Sequence, residues 1–216
     1  MRVEVWSDII CPWCGLGLHR LKAALARFEH GSEVEVVHRS FQLDERAPAD
    51  RTESVRSMLQ KKGLADAQID GVTARVAQLA KAEGLDPYHV LDNRVGNTSL
   101  AHELAAWATE LGHGNEIWDL LFASYFGAAE SVFDLESLVS LATKLKLDPA
   151  SARAALSSRR YAQQVAADGR AAHELGANGV PFFVLDRQLA ISGAQSVDVL
   201  LQALEKAWTN QGSARA

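Results

Sequence analysis

Strand-like patterning is confined to the two ends of this 216-residue chain, and the long middle repeats at helical spacing. Near the N-terminus Val3-Glu4-Val5-Trp6 alternates as a short strand, and Val34, Val36, Val37, Phe41 and Leu43 mark a second across Glu33 to Leu43. Between them Cys14, Leu18, Leu21, Leu25 and Phe28 recur at steps of four and three, a helix with Gly31 as its expected C-cap. Strand, helix, strand implies a parallel crossover within one sheet. At the other end Val180-Pro181-Phe182-Phe183-Val184-Leu185 and Leu189-Ala190-Ile191-Ser192 flank Asp186-Arg187-Gln188, the pattern of an antiparallel hairpin. Ser196 then opens a last helix bearing Val199, Leu200, Leu204 and Trp208, and the tail from Gly212 reads as disordered.

The middle carries one apolar stripe after another. Ile69, Val72, Val76, Leu79 and Ala80 form the first, closed by Gly84, and Leu100, Leu104, Trp107, Ala108 and Leu111 the next, closed by Gly112. Ile117 to Phe126 is dense in apolar and aromatic residues. Asp134 is placed to cap a helix with Leu135, Leu138, Val139, Leu141 and Ala142, and Asp148-Pro149 is a helix start. Such stripes are packing faces. The ends therefore supply βαβ and ββα halves of an α/β layered domain, residues 1–43 and 176–216, and residues 44–175 form an inserted helical subdomain.

Composition narrows the partners. Hydrophobic residues make up 48% and charged residues 23%, the balance of a globular protein whose core needs no staples. A net charge of -5 with scattered Lys and Arg gives no footprint for a phosphate backbone, so no nucleic acid is expected. No apolar stretch approaches the roughly 20 residues of a membrane span. Arg2 leads into an alternating strand rather than the apolar run of a secretory leader, and a cytoplasmic location is expected.

The only two cysteines lie three positions apart. A scaffold disulfide closes a longer loop in an oxidising compartment. Redox chemistry, half of a metal site and a pair of buried structural thiols remain as readings. Zinc wants four ligands, and there is no second cysteine pair and no ligand spacing among the seven histidines. Pro12 favours the first helical position, which puts Cys11 at the N-cap and Cys14 one turn inside. Unpaired amides and the positive end of the helix dipole then favour a thiolate at Cys11, the nucleophilic form. Cα atoms three residues apart on a helix lie about 5–6 Å apart, within disulfide range. Motif, junction and cysteine count together favour redox chemistry.

Four segments extend the argument to the whole chain. Ser7-Asp8-Ile9-Ile10-Cys11-Pro12-Trp13-Cys14-Gly15 resembles the opening motif of the DsbA family of thioredoxin-like proteins in its FrnE-like branch. His38-Arg39-Ser40-Phe41-Gln42-Leu43 resembles that branch's second strand, and Asn97-Thr98-Ser99-Leu100-Ala101-His102 a motif of its helical insertion. Gly179-Val180-Pro181-Phe182-Phe183-Val184, with Gly193-Ala194-Gln195, resembles the wall of its active site. The resemblance runs from Met1 to about Trp208. It implies a thioredoxin-like α/β fold, with βαβ and ββα halves in a mixed sheet and a large all-helical insertion. The activity implied is dithiol–disulfide exchange at Cys11 and Cys14.

The resemblance also implies that Val180-Pro181 is a cis peptide beside the cysteines, offering the Val180 backbone to an extended substrate. Pro12 and Trp13 would wall the substrate groove and the insertion would shape it; Trp13 reads alternatively as packing against the insertion. The family's best-known members carry His at the place of Trp13; indole offers a thiolate neither the charge nor the same hydrogen bond, so a less oxidising couple is expected. Asp8 reads either as a proton acceptor and electrostatic tuner or as a turn-stabilising Asx residue. His102 and Asn97 read either as cleft-lining or as helix-start and surface residues. No metal and no organic cofactor are implied; glutathione is a candidate co-substrate. The expected partners are disulfide- or thiol-containing proteins or small molecules, and monomer or homodimer both fit. Two alternatives stand beside the exchange reading. One is a glutathione-dependent isomerase or transferase, resembling 2-hydroxychromene-2-carboxylate isomerase and the kappa-class transferases, which typically carry Ser at the place of Cys11. The other is a chaperone-like binding module.

Overall fold

The computed structural model describes residues 1–215. In chain order its strands are β1 (Arg2–Ser7), β2 (Glu35–Ser40), β3 (Glu53–Ser54), β4 (Arg94–Val95), β5 (Phe182–Leu185) and β6 (Leu189–Ser192). Its α-helices are α1 (Pro12–Arg27), α2 (Val55–Lys61), α3 (Asp66–Ala82), α4 (Ser99–Glu110), α5 (Gly114–Phe122), α6 (Leu135–Lys144), α7 (Pro149–Ser157), α8 (Ala162–Glu174) and α9 (Val197–Arg215). Two compact units result: Met1–Leu43 with the chain from Ala166 onward, and Asp44–Val165.

The first unit is built on a sheet ordered β2-β1-β5-β6. β1 and β2 are parallel, Val3 opposite Val36 and Val5 opposite His38, because α1 carries the chain back to the starting edge. β5 runs antiparallel to β1, with Glu4 opposite Val184 and Trp6 opposite Phe182, and β6 returns antiparallel to β5. The hairpin turns through Asp186 and Arg187, both left-handed (φ 48° and 57°). Gln188 N–H closes it onto the Leu185 carbonyl, and the Asp186 carboxylate accepts the Arg2 amide at 2.7 Å.

Alternation along the strands sorts side chains to the two faces. Val3, Val5, Phe183 and Leu185 are wholly or almost wholly buried on one face, and near it α1 and α9 pack together, Arg27 pairing with Asp198 and Phe28 meeting Trp208 edge to face. On the other, Trp6, Phe41, Phe182 and Val184 form a cluster with Ala172 and Ala177. The Trp6 indole donates to the Asp168 carbonyl at 2.8 Å, and the Asp168 carboxylate accepts the Ser40 amide and Arg39. Glu4, 3% exposed, lies between the guanidinium groups of Arg39 and Arg187 at 3.0 and 3.1 Å, so its charge is paired rather than stranded.

These contacts correct the boundary at residues 175 and 176. The chain rejoins the sheet unit at Ala166, inside α8, because Asp168, Ala171 and Ala172 already serve the sheet. Gly31 does not cap α1. Phe28 is the C-cap, and a methyl on Gly31 would lie 2.0 Å from the Leu25 carbonyl oxygen, so glycine there permits a close approach. β2 is shorter than the Glu33-to-Leu43 reading, and α9 continues through Gly212 to Arg215 where an irregular tail was expected; Ala216 lies outside the described residues.

The second unit buries Leu104, Ile117, Leu121, Leu138 and Leu156 completely. Asp134 and Asp148 cap α6 and α7 as their positions predict, accepting the amides of Ser137 and Ser151 at 2.9 and 2.7 Å. It is not wholly helical: β3 and β4 pair antiparallel, Glu53 opposite Val95, while Arg94 grips Thr52 and the Tyr125 hydroxyl donates to the Arg94 carbonyl. Strands of two residues leave no alternation to read. Val72 and Leu111, assigned to buried stripes, are about half exposed.

Candidate active site

The first unit assembles the site from the end of β1, the start of α1 and the segment entering β5. After Ser7 the chain turns through Asp8, where the Cys11 amide donates to the Asp8 carbonyl at 3.1 Å. Cys11 then takes the N-cap with extended backbone (φ -84°, ψ 112°), and Pro12 is the first helical residue. The Cys11 carbonyl accepts the Cys14 amide at 2.9 Å, so the motif Cys11-Pro12-Trp13-Cys14 is the first turn of α1. Cys11 makes no side-chain capping bond to the helix. Its sulfur points instead to the Val180 carbonyl oxygen, which accepts the S–H at 3.6 Å.

Both cysteines are free thiols, Cys11 5% exposed and Cys14 fully buried. Burial pushes the Cys14 thiol well above the ordinary 9.0, because a thiolate there has no water. The Cys11 thiol adds to the rise through its hydrogen bond and charge; the Asp8 backbone amide opposes it, and the Asp8 carboxylate charge adds a further push upward. Cys11 keeps a trace of exposure, and Cys14 is fully enclosed behind it and holds its proton.

Asp8 is fully buried, and its Oδ2 accepts the Leu43 amide at 2.8 Å, so it ties the strand-to-helix turn to the chain leaving β2. That bond is long-range rather than the local one of an Asx turn, and the Asp8 charge acts on Cys14. The Val180–Pro181 peptide is cis. Pro181 is buried, Val180 half-buried, and the Pro181 carbonyl accepts the Gly193 amide at 2.8 Å. Pro12 and Trp13 are half-buried on the first turn of α1.

Cys11, Cys14, Asp8, Pro12, Val180 and Pro181 lie together in the first unit. Asn97 and His102 belong to the helical unit. There the Asn97 side chain, one residue ahead of the Thr98 N-cap of α4, accepts the Ser99 amide and donates to the Ala47 carbonyl, and His102 is buried against the Trp118 ring. Gly193 carries a role the sequence reading left unassigned, since its left-handed backbone (φ 80°) turns its amide onto Pro181; a glycine just beyond a strand was the available signal. Among the described residues no group of three or more His, Cys, Asp or Glu is placed to hold a metal ion, and no helix is long and apolar enough to cross a membrane.

Comparison with known proteins agrees with this geometry. A crystal structure of a probable DsbA oxidoreductase, SCO1869 from Streptomyces coelicolor, is 45% identical with a TM-score of 0.92, over 97% of this chain and 90% of that one. Two more distant structures share the fold. One is 2-hydroxychromene-2-carboxylate isomerase, 16% identical with a TM-score of 0.75 and covering 100% of both chains. The other is the cytosolic disulfide reductase DsbM from Pseudomonas aeruginosa with GSH, 19% identical with a TM-score of 0.59 and covering 100% of both chains. Residues 2–205 match the model of the DSBA-like thioredoxin domain, and the chain belongs to that family.

Proposed function

We propose that this protein is a dithiol–disulfide oxidoreductase acting through Cys11 and Cys14, in the FrnE-like branch of its family. The observation that carries the reading is the pairing of a Cys11 sulfur at a helix N-cap with the Val180 carbonyl 3.6 Å away, over a buried Cys14. In the reductive direction the Cys11 thiolate attacks one sulfur of a substrate disulfide and expels the other as a thiolate, which takes up a proton. Cys14 then gives its proton to Asp8 and attacks Cys11. The mixed disulfide breaks, the second substrate thiolate leaves, and two electrons have passed from the cysteine pair to the substrate. Oxidation is the same sequence reversed.

The Val180 backbone aligns an extended substrate, and Pro12, Trp13 and Pro181 wall the groove. The substrates are disulfide- or thiol-bearing proteins or small molecules, glutathione is the co-substrate that resets the pair, and no metal or organic cofactor takes part. Indole in place of imidazole at Trp13 suits a less oxidising couple working in the cytoplasm, the location named for DsbM. Under a glutathione-dependent isomerase reading, the second thiol at Cys14 has no work to do.

The test is an equilibrium titration against reduced and oxidised glutathione, with free thiols alkylated and counted by intact mass. One two-electron transition, lost in Cys11→Ser, is expected, and Asp8→Asn should slow resolution of a trapped mixed disulfide. A pair that never forms a reversible disulfide sinks the proposal and turns attention to isomerisation.

A further inference from the structure

Helix α1 holds a glycine at position 17, one turn beyond Cys14, where the backbone is ordinary right-handed helix. No left-handed φ calls for glycine there, and glycine weakens a helix relative to alanine. Space is what it provides. A methyl on Gly17 would lie 2.8 Å from Cγ and 3.4 Å from Cβ of Pro181, and 3.4 Å from Cζ of Phe183. The first distance is shorter than carbon atoms tolerate.

The proline ring has no free end to swing away, because it closes on its own backbone. That backbone is fixed on the C-terminal side of the ring. The Pro181 carbonyl is held by the Gly193 amide at 2.8 Å, and Phe182 and Phe183 are paired with Trp6 and Val5 of β1. The residue before it is Val180, whose carbonyl oxygen covers the Cys11 sulfur. A push on the ring is therefore passed to the carbonyl that sits against the reactive thiol.

We propose that Gly17 is a positioning residue for thiol exchange: its missing side chain is the seat of Pro181, and that seat sets where the substrate-aligning Val180 stands relative to Cys11. This rests on the exchange reading above. It differs from that reading in assigning a role to a residue with no reactive atom.

The test compares wild type, Gly17→Ala, Pro181→Ala and the double variant, with Gly71→Ala as a control, since Gly71 is a helical glycine with open space around it. Two quantities are read at a temperature well below each unfolding midpoint. One is the rate at which iodoacetamide alkylates Cys11. The other is the half-saturation concentration and limiting rate for single-turnover reduction of an extended peptide disulfide by the reduced protein. Gly17→Ala is expected to speed alkylation, because displacing Val180 uncovers Cys11, a residue only 5% exposed. It should also raise half-saturation by roughly two- to a hundredfold, the span of directly contacting pairs, with a smaller change in limiting rate. In the Pro181→Ala background the same substitution should do little, and Gly71→Ala should do nothing to either quantity.

Unchanged values for Gly17→Ala, or an equal effect in both backgrounds, overturn the proposal. If Gly17→Ala does not fold, a folded double variant supports the contact and an unfolded one overturns it. A wild type that reduces no disulfide defeats the exchange reading alone, and the alkylation rates still judge the seat of Pro181.

Discussion

A thiol is cheap to bury and a thiolate is not, so the same side chain three residues apart becomes two different reagents. Cys14 is held protonated by full burial, with the Cys11 thiol and the Asp8 charge adding to the effect. Its proton is therefore linked to folding. The unfolded chain releases it near the ordinary 9.0, while the folded chain keeps it to higher pH. Below 9.0 both states carry the proton and the stability Cys14 contributes is fully present; above it the unfolded state is favoured and that contribution is lost. Urea midpoints followed from neutral pH into the alkaline range should fall with a slope of up to about 1.4 kcal/mol per pH unit from this one group. Cys14→Ala should flatten that limb, and Cys14 should resist alkylation throughout the neutral range. Matching alkaline slopes in the two proteins would contradict the burial argument.

At the scale of elements, α8 shows both what a sequence reveals and what it hides. Its second half is fastened to the sheet by Asp168, which accepts the Ser40 amide and Arg39 through its carboxylate and the Trp6 indole through its carbonyl. Asp168→Ala takes the carboxylate from the Ser40 amide and leaves Arg39 with Glu4 alone, so a loss of about 1–3 kcal/mol is expected, chiefly for the unsatisfied amide. Equilibrium urea unfolding should show it as a lower midpoint with an unchanged m-value. None of this was visible in the chain, because one helix serving two units keeps an unbroken period and offers no boundary signal. The two-residue strands β3 and β4 were hidden by their length, and Gly31 looked like a cap because the Leu25 carbonyl it makes room for is a tertiary detail. Where local chemistry decides, the reading matched the structure: Pro12 opens α1, Asp134 and Asp148 cap their helices, and β5 and β6 form their hairpin. The site was legible for the same reason, since Cys11 and Cys14 are fixed by one turn of helix. The hold of Gly193 on Pro181 depends on packing that no short window of sequence contains.

Across the whole molecule, every contact described around Cys11 and Cys14 comes from one unit: the turn after β1, the head of α1, Leu43, and the segment from Val180 to Gly193. The helical unit has a buried core of its own, in which Leu104 is fully enclosed with Ile117, Leu121 and Leu138 among its unit's buried side chains. Stability and thiol chemistry are then separable in this chain. Leu104→Ala removes three heavy atoms from that core and should cost about 2–5 kcal/mol, with the larger values where the surroundings fail to close the cavity. Under native conditions the same variant should alkylate at Cys11 at the wild-type rate and reach the wild-type Cys11–Cys14 equilibrium with glutathione, because the hydrogen bonds that hold Asp8, Val180 and Cys11 are made within the other unit. A Leu104→Ala protein that loses stability and also shifts its thiol equilibrium would mean that the packing of the helical core and the chemistry of the cysteine pair are coupled rather than separable.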